Sequence, residues 1–112
     1  MINQMRIYQV PVENRGPFLD RFRDHAARIM ARYNFRIQAM WTADTADQTR
    51  FVYLLTWEDE ADMKAGWDAF MADEEWPEIK RITADKHGTM VLGIEDLILT
   101  PCDFSQAIGA ET

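Results

Sequence analysis

The sequence predicts an α+β domain built on a four-stranded antiparallel sheet with helices on one face. Strand-like and helix-like patterns alternate in the order strand, helix, strand, strand, helix, strand. The two middle strands are separated by six residues, ADTADQ, so we expect them to pair as antiparallel neighbours. The second of them, FVYLLTW, is apolar on both faces and must therefore be covered on both.

The composition fits one globular domain and excludes several function classes. The chain has 112 residues, of which 47% are hydrophobic and 28% charged. The net charge of −7 argues against a nucleic acid or an anionic membrane as partner. No apolar run approaches the roughly 20 residues of a membrane span, and the N-terminus lacks the pattern of a signal peptide. One cysteine, Cys102, fits a reducing compartment, so we expect a cytoplasmic protein.

The first half of the chain predicts a strand, a helix and a second strand. A short strand is expected over Met5–Val10, and Pro17 suits the first turn of a helix. Apolar residues recur at helical spacing as far as Tyr33, and Asn34 suits a left-handed stop. The next strand alternates cleanly, which predicts one apolar face made of Phe35, Ile37, Ala39 and Trp41.

The second half predicts a strand, two helices and a last strand. The strand over Thr49–Trp57 leads to an acidic turn in which Asp59 suits a helix N-cap. Gly66 in the middle of the helix predicts close approach to a neighbour. The Trp-Pro step at residues 76 and 77 is expected to interrupt the helix, followed by a short helix over residues 77–86 and a strand over Thr89–Thr100. This order is that of the split βαβ, or ferredoxin-like, fold.

The strand FVYLLTW also predicts a partner subunit. One of its faces can take the chain's own helices, but the chain is too short to build a second layer over the other. A second copy is the simplest cover, so we expect a homodimer or a higher homo-oligomer. Residues 1–105 are expected to form the single domain and residues 106–112 a loose C-terminal tail.

Four segments carry a resemblance to a known family: MRIYQV, AMWTAD, FVYLLTWEDEADMKAGWDAFMADEEW and IEDLILTPCDFS. Together they resemble the NIPSNAP family of small dimeric α/β-barrel domains, over residues 5 to about 105. The resemblance implies a homodimer in which two sheets pack face to face. The wider superfamily includes cofactor-free monooxygenases, haem-degrading enzymes and binding proteins, which use a pocket between sheet and helices. Fold alone does not select among these activities.

Common catalytic and metal motifs find little support in the sequence. The side chains of His25, His87 and Cys102 are the only nitrogen and sulfur ligands, and none is spaced with another, so no metal site is predicted. Ser105 is the only serine and lies in the tail, which leaves no nucleophile for a serine triad. No glycine-rich phosphate loop is present. We therefore predict no cofactor; haem stays open as a ligand, but no motif supports it.

The remaining candidate site is the pocket between sheet and helices. His25, at the rim of the apolar stripe of the first helix, is the candidate for proton transfer or haem ligation. The alternative is that His25 bonds to a neighbour and closes the helix rim. The candidate pocket residues are aromatic or polar groups near the sheet: Arg6, Tyr8, Trp41, Tyr53, Trp57 and Trp67. The alternative for these large aromatics is that they are plain core.

Two functions from different classes remain at this point. The first is a dimeric α/β-barrel protein with a pocket for a small hydrophobic or aromatic ligand, similar to a cofactor-independent oxygenase. The second is a non-catalytic assembly or interaction protein, in which the same aromatics serve only the core and the interface.

Overall fold

The computed structural model describes residues 1–109, which form one antiparallel sheet with three helices. The strands are β1 (Ile2–Pro11), β2 (Arg36–Asp44), β3 (Gln48–Trp57) and β4 (Gly93–Leu99). Helix α1 has three consecutive segments (Arg15–Arg21, Phe22–Ala26 and Ala27–Ala31), and it is followed by α2 (Glu60–Met71) and α3 (Glu75–His87). The strand order is β2-β3-β1-β4, and every pair is antiparallel. The predicted ferredoxin-like α+β fold is confirmed.

The helices cover the face of the sheet on which β3 places Phe51, Tyr53, Leu55 and Trp57. These four side chains are buried, and they share one core with the apolar residues of α1 and α2. Alternate residues of the same strand are apolar as well, so β3 does have two apolar faces, as its sequence predicts.

The opposite face, which we call the outer face, is apolar along its centre. It is formed by alternate residues of the strands, among them Met5, Ile7, Val52, Leu54, Leu97, Leu99 and Trp41. Leu97 is 45% exposed and Trp41 is 49% exposed. The isolated chain therefore leaves a patch of large apolar side chains in water.

A bulge in β2 changes which face its residues occupy. Ile37 pairs with Leu55 on the helix-covered face, but after the register shift Ala39 pairs with Leu54 and Trp41 with Val52, on the outer face. The predicted single face of Phe35, Ile37, Ala39 and Trp41 is therefore wrong, because one additional residue in β2 reverses the alternation of its side chains.

The break between α2 and α3 lies earlier than the sequence predicts. Helix α3 already includes Pro77 in its first turn, where a missing backbone N–H costs nothing, so the predicted interruption at the Trp-Pro step is wrong. Asp73 Oδ1 accepts hydrogen bonds from the backbone N–H groups of Glu75 (2.8 Å) and Trp76 (3.2 Å). The side chain of Asp73 thus satisfies the start of α3.

The C-terminal segment after β4 turns back over one end of the outer face. Thr56 Oγ1 on β3 donates a hydrogen bond to the carbonyl of Ile108, at 3.5 Å. Residues 110–112 of the predicted loose tail lie outside the described residues. The predicted domain boundary at residue 105 stays a prediction.

Candidate functional site

A cavity of about 160 Å³ lies between the sheet and the helices, and we call it the aromatic cavity. Its walls come from β1, β4 and all three helices. Six aromatic side chains line it: Tyr8, Phe18, Phe22, Trp67, Phe70 and Trp76. Three cations line it as well: Arg6, Arg21 and Lys80. An apolar cavity with a few convergent polar groups is the usual form of a small-molecule site.

The irregular middle of α1 builds one wall of this cavity. Phe18, Phe22, Ala26 and Met30 are spaced four residues apart, and all four line it. In a regular α-helix, residues four apart rotate by about 40° further at each step. The segment Phe22–Ala26 is a π-helix, whose wider turn reduces this rotation. The four side chains therefore stay in line along one wall.

The sheet side of the aromatic cavity, which we call its floor, includes Arg6 and Tyr8 of β1, and hydrogen bonds link these two residues to Tyr53 of β3. Arg6 Nη2 donates to Tyr8 Oη at 3.2 Å, and Tyr8 Oη lies 2.7 Å from Tyr53 Oη. Tyr53 is fully buried, and burial raises its pKa well above the ordinary value, so it is a neutral phenol. Burial disfavours the charge of Arg6, but the phenol oxygens of Tyr8 and Tyr53 more than offset this and hold its pKa above the ordinary value. Arg6 is therefore a permanent cation in the cavity wall.

The guanidinium of Arg6 has one unused donor. Its Cζ lies 4.4 Å from the ring centroid of Trp67, and its Nη1 is 3.3 Å from Asp96 Oδ2. Arg6 Nε is buried and has no hydrogen-bond partner within residues 1–109. A buried donor without a partner costs free energy, which a bound ligand or water can recover.

A buried amide fixes the orientation of two tryptophans beside the cavity. Gln4 Oε1 accepts from the indole N–H of Trp57 (2.9 Å) and from that of Trp67 (2.8 Å). Gln4 Nε2 donates to Asp96 Oδ1 at 2.8 Å. Since Gln4 is nearly fully buried, these bonds hold Trp67 in place as a wall of the cavity.

Two cations of the lining lie where α1 passes α3, and both also line an open groove next to the aromatic cavity; we call this end of the cavity its mouth. Arg21 Cζ lies 5.2 Å from the ring centroid of Trp76, and Lys80 Nζ lies 5.8 Å from the same centroid. Burial lowers the pKa of Arg21, because the charged form loses hydration there. No carboxylate lines the cavity among the described residues.

The structure brings together half of the predicted pocket residues. Arg6, Tyr8 and Trp67 line the cavity. Tyr53 lies behind Tyr8, and Trp57 is buried in the core beside Gln4; neither forms part of the lining. Trp41 is on the outer face, because the bulge in β2 turns it away from the helices.

His25 lies outside the aromatic cavity. It is in the π-helical segment of α1 and faces an open groove between α1 and the end of α3. Its Nδ1 is 3.0 Å from Nη2 of Arg28, which also pairs with Glu75. This arrangement matches the alternative in which His25 bonds to a neighbour at the helix rim. Its predicted catalytic role stays a prediction.

Sequence reasoning missed Arg21 and Lys80. Each is an ordinary basic residue on the polar side of a helical pattern, and they lie 59 positions apart in the chain. Only the crossing of α1 and α3 brings both to one tryptophan ring. The aromatic spacing of Phe18 and Phe22 was a usable signal, but it indicated a core stripe and not a cavity wall.

Two classes of site find no support in the described part of the chain. Within residues 1–109, no group of three or more His, Cys, Asp or Glu side chains is placed to hold a metal ion. Over the same residues, no helix combines the length and apolar character that crossing a membrane requires.

Comparison with known families decides the membership of this chain. The sequence model of the NIPSNAP family matches residues 3–106. The chain belongs to the NIPSNAP family. A search of curated proteins gives no match for this NIPSNAP chain.

Solved structures agree with this membership. An uncharacterized NIPSNAP domain protein from Burkholderia xenovorans has a TM-score of 0.79 and 21% identity, over 96% of this chain and 100% of that one. A NIPSNAP family protein from Agrobacterium tumefaciens has a TM-score of 0.79 and 18% identity, over 93% and 95% of the two chains. The NIPSNAP fold described above is thus shared by proteins of low sequence identity.

The fold also extends to enzymes outside the NIPSNAP family. A monooxygenase from Streptomyces coelicolor, solved in complex with the ligand nanaomycin D, has a TM-score of 0.59. Its sequence is 13% identical to this NIPSNAP chain, and the match covers 95% of this chain and 91% of that one. Such low identity shows a shared fold and leaves the activity open.

Proposed function

We propose that this NIPSNAP protein binds a small hydrophobic or aromatic molecule in the aromatic cavity. The observation that carries the proposal is the cavity itself: about 160 Å³ of space with six aromatic walls and a guanidinium, that of Arg6, whose buried Nε has no hydrogen-bond partner within the described residues. A purely structural core at this place would be filled by side chains, because protein interiors are close-packed. An apolar cavity of about 150 Å³ is large enough to take up benzene.

The walls suit a planar apolar body. Phe18 and Phe22 present a row of rings from α1, and Trp67 and Trp76 present indoles from α2 and α3. Aromatic pairs in offset or edge-to-face contact gain about 1 kcal/mol beyond the area that they bury. A ligand with one aromatic ring therefore finds favourable contacts on several sides.

The floor of the cavity supports oxygenase-like chemistry as the reaction. An oxygenase without a cofactor needs an electron-rich, anionic substrate that gives up an electron to O₂. The described lining of the aromatic cavity holds no carboxylate or histidine to take up a proton, so the substrate is one that enters already ionised, and the site's part is to stabilise the anion. When Tyr53 donates its hydrogen bond to Tyr8, Tyr8 Oη accepts from both Tyr53 and Arg6, and the Tyr8 hydrogen is free to bond to a ligand oxygen. The permanent charge of Arg6 would stabilise negative charge at that oxygen. The monooxygenases that share this fold add support.

The cavity can be tested by filling it. We expect Ala26→Leu, which places a larger side chain in the cavity wall, to weaken uptake of single-ring probes such as toluene and p-cresol by at least about tenfold. His25→Ala, at the neighbouring residue outside the cavity, should leave uptake unchanged. Ligand-observed NMR measures the affinities, and circular dichroism checks that both variants fold.

Failure of this experiment would favour the non-catalytic alternative. If the wild type takes up none of the probes in a saturable manner, or if Ala26→Leu binds them as well as the wild type does, the aromatics serve only the core. A loss of uptake in His25→Ala alone would move the site to the groove of α1 and α3.

We also propose that a second copy of the chain covers the outer face. The support is the row of large apolar side chains there, including Leu97 and Trp41, which no helix within residues 1–109 covers. A closed two-fold dimer would bury the same patch on both copies and leave no copy of this patch open to a third chain.

The dimer is tested with two neighbouring residues of β4. Leu97 and Ile98 are 45% and 48% exposed, but they lie on opposite faces of the sheet. We expect Leu97→Lys to weaken the dimer by at least about 100-fold, because burial of an unpaired charge costs several kcal/mol. Ile98→Lys, on the helix-covered face, should leave the dimer intact. Light scattering over a dilution series measures both, and a wild type that is monomeric at micromolar concentration would refute the proposal.

A further inference from the structure

We propose that the ligand of the aromatic cavity is a carboxylate on an apolar body of about one ring, and that Arg21 and Lys80 hold its anionic oxygens at the mouth. This inference rests on the proposed function, because it names the class of molecule that the same cavity takes. It means that Arg21 and Lys80, and not the apolar walls, determine which ligand the cavity prefers.

The pairing of charges in the chain singles out these two cations. Of the 12 Lys and Arg side chains, eight form ion pairs with Asp or Glu within residues 1–109. The four without such a pair in that range are Arg21, Arg50, Lys80 and Lys86. Two of these four line the same cavity. The chain has 19 acidic residues, yet none of those described pairs with either of these two cations. Their position at one mouth therefore suits an anionic ligand.

The geometry lets both cations reach one anion. The guanidinium of Arg21 and the ammonium of Lys80 lie within 6 Å of the centroid of Trp76, at 5.2 and 5.8 Å. Both also line the open groove next to the cavity, beside the segment between α3 and β4. Neither the groove nor the cavity has an acidic residue in its lining among the described residues. An anion at this mouth therefore meets two positive charges and no acidic residue of either lining; Asp20 and Asp24 share a different groove with Arg21.

The remaining cation of the cavity already has a carboxylate partner. Arg6 lies on the central strand β1, where it bonds to Tyr8 and pairs with Asp96. Arg21 and Lys80 at the mouth therefore attract a full negative charge more strongly than Arg6 does. The apolar body would then lie inward, among the aromatic walls. A planar carboxylate also matches the paired N–H donors of a guanidinium such as that of Arg21.

Partial burial of Arg21 adds to the affinity that we expect for a carboxylate. Burial lowers the pKa of its guanidinium, which means that the charged form lacks part of its hydration in the ligand-free chain. A carboxylate would supply the missing hydrogen bonds. Charge-assisted hydrogen bonds of this kind are stronger than neutral ones.

Matched acids and amides test the inference on the 112-residue chain. The probes are phenylacetate with phenylacetamide and 4-methylbenzoate with 4-methylbenzamide, measured by isothermal titration calorimetry and ligand-observed NMR. Each pair has the same ring and differs in charge. For the wild type we expect the acid to bind at least about tenfold more tightly than the amide.

Three variants locate the anion. Arg21→Gln and Lys80→Gln should each lower the affinity for the acids by about tenfold while changing that for the amides by no more than about twofold. Lys86→Gln is the matched control, because it removes the same charge from α3 at a residue outside the aromatic cavity. It should leave the preference for the acids unchanged. If Arg21→Gln does not fold, Lys80→Gln alone decides the result.

The outcomes separate this inference from the proposed function. Equal affinity of the wild type for acid and amide would overturn the anion assignment and leave the cavity as a site for neutral ligands. A preference for acids that Arg21→Gln and Lys80→Gln preserve would overturn the assignment to these residues. Uptake of neither member of any pair by the wild type would overturn the proposed function, and this inference with it.

Discussion

Replacing Gln4 by leucine is expected to lower the free energy of unfolding by about 3 kcal/mol, because two buried indole N–H groups lose their acceptor. Both N–H groups, of Trp57 and Trp67, donate to Gln4 Oε1, and no other acceptor within residues 1–109 bonds to them. The side-chain amide also donates to Asp96. The additional apolar surface of leucine offsets part of this loss. Urea denaturation followed by circular dichroism measures the change, at one fixed protein concentration.

Gln9→Leu is the matched control for this prediction. Gln9 lies on the same strand, but its side chain is on the outer face and forms no hydrogen bond within residues 1–109. The same chemical change there should alter stability by less than about 1 kcal/mol. Equal effects of Gln4→Leu and Gln9→Leu would show that the bridge between the two tryptophans contributes nothing. The indole N–H signals in an amide correlation spectrum provide a second readout, since both should shift only in Gln4→Leu.

Replacing Gly66 by alanine is expected to destabilise the fold by about 2 kcal/mol, although alanine is the better helix former. A Cβ at Gly66 would lie 2.6 Å from both Cη2 and Cζ3 of Trp57. Trp57 is fully buried and is held by Gln4, so its ring cannot move away at low cost. The close approach predicted for Gly66 from its place in the helix is confirmed.

Gly16→Ala should have the opposite effect on the free energy of unfolding. Gly16 lies in the first segment of α1, and a Cβ there would meet nothing within 4 Å. Alanine should therefore stabilise the chain by up to about 1 kcal/mol, through helix propensity and a less flexible unfolded state. Thermal and urea unfolding of Gly66→Ala and Gly16→Ala measure the loss and the gain in stability. A Gly66→Ala protein as stable as the wild type would show that the packing of α2 on β3 is looser than the structure implies.

Local chemistry explains why the order of elements was predictable from the sequence. Asp59 caps α2 as predicted, since its Oδ1 accepts from the N–H of Asp62 at 2.8 Å. Asn34 ends the first helical region with a positive φ of 66°, again as predicted. Each of these signals acts within a few residues of the chain. The ferredoxin-like order of strands then follows from short connections and one long apolar strand.

Features that depend on contacts between distant elements were not predictable in this way. Nothing in the residues of β2 marks the extra residue that moves Trp41 to the outer face, because the alternation of side chains looks regular in sequence. The convergence of Arg21 and Lys80 depends on how two helices cross. The candidate site was therefore only partly predicted: Arg6 and Tyr8 of β1 and Trp67 of α2 were found from the sequence, and the lining residues of α1 and α3 were not.

The bulge in β2 shows that one additional residue in a strand, and not the types of its residues, decides on which face of the sheet Trp41 lies. The even spacing of Ile37 and Trp41 would put both side chains on one face of a regular strand. The additional residue Gln38 lets β2 place Ile37 on the helix-covered face and Trp41 on the outer face. One inserted residue in a strand is thus enough to divide evenly spaced apolar side chains between the two faces of a sheet.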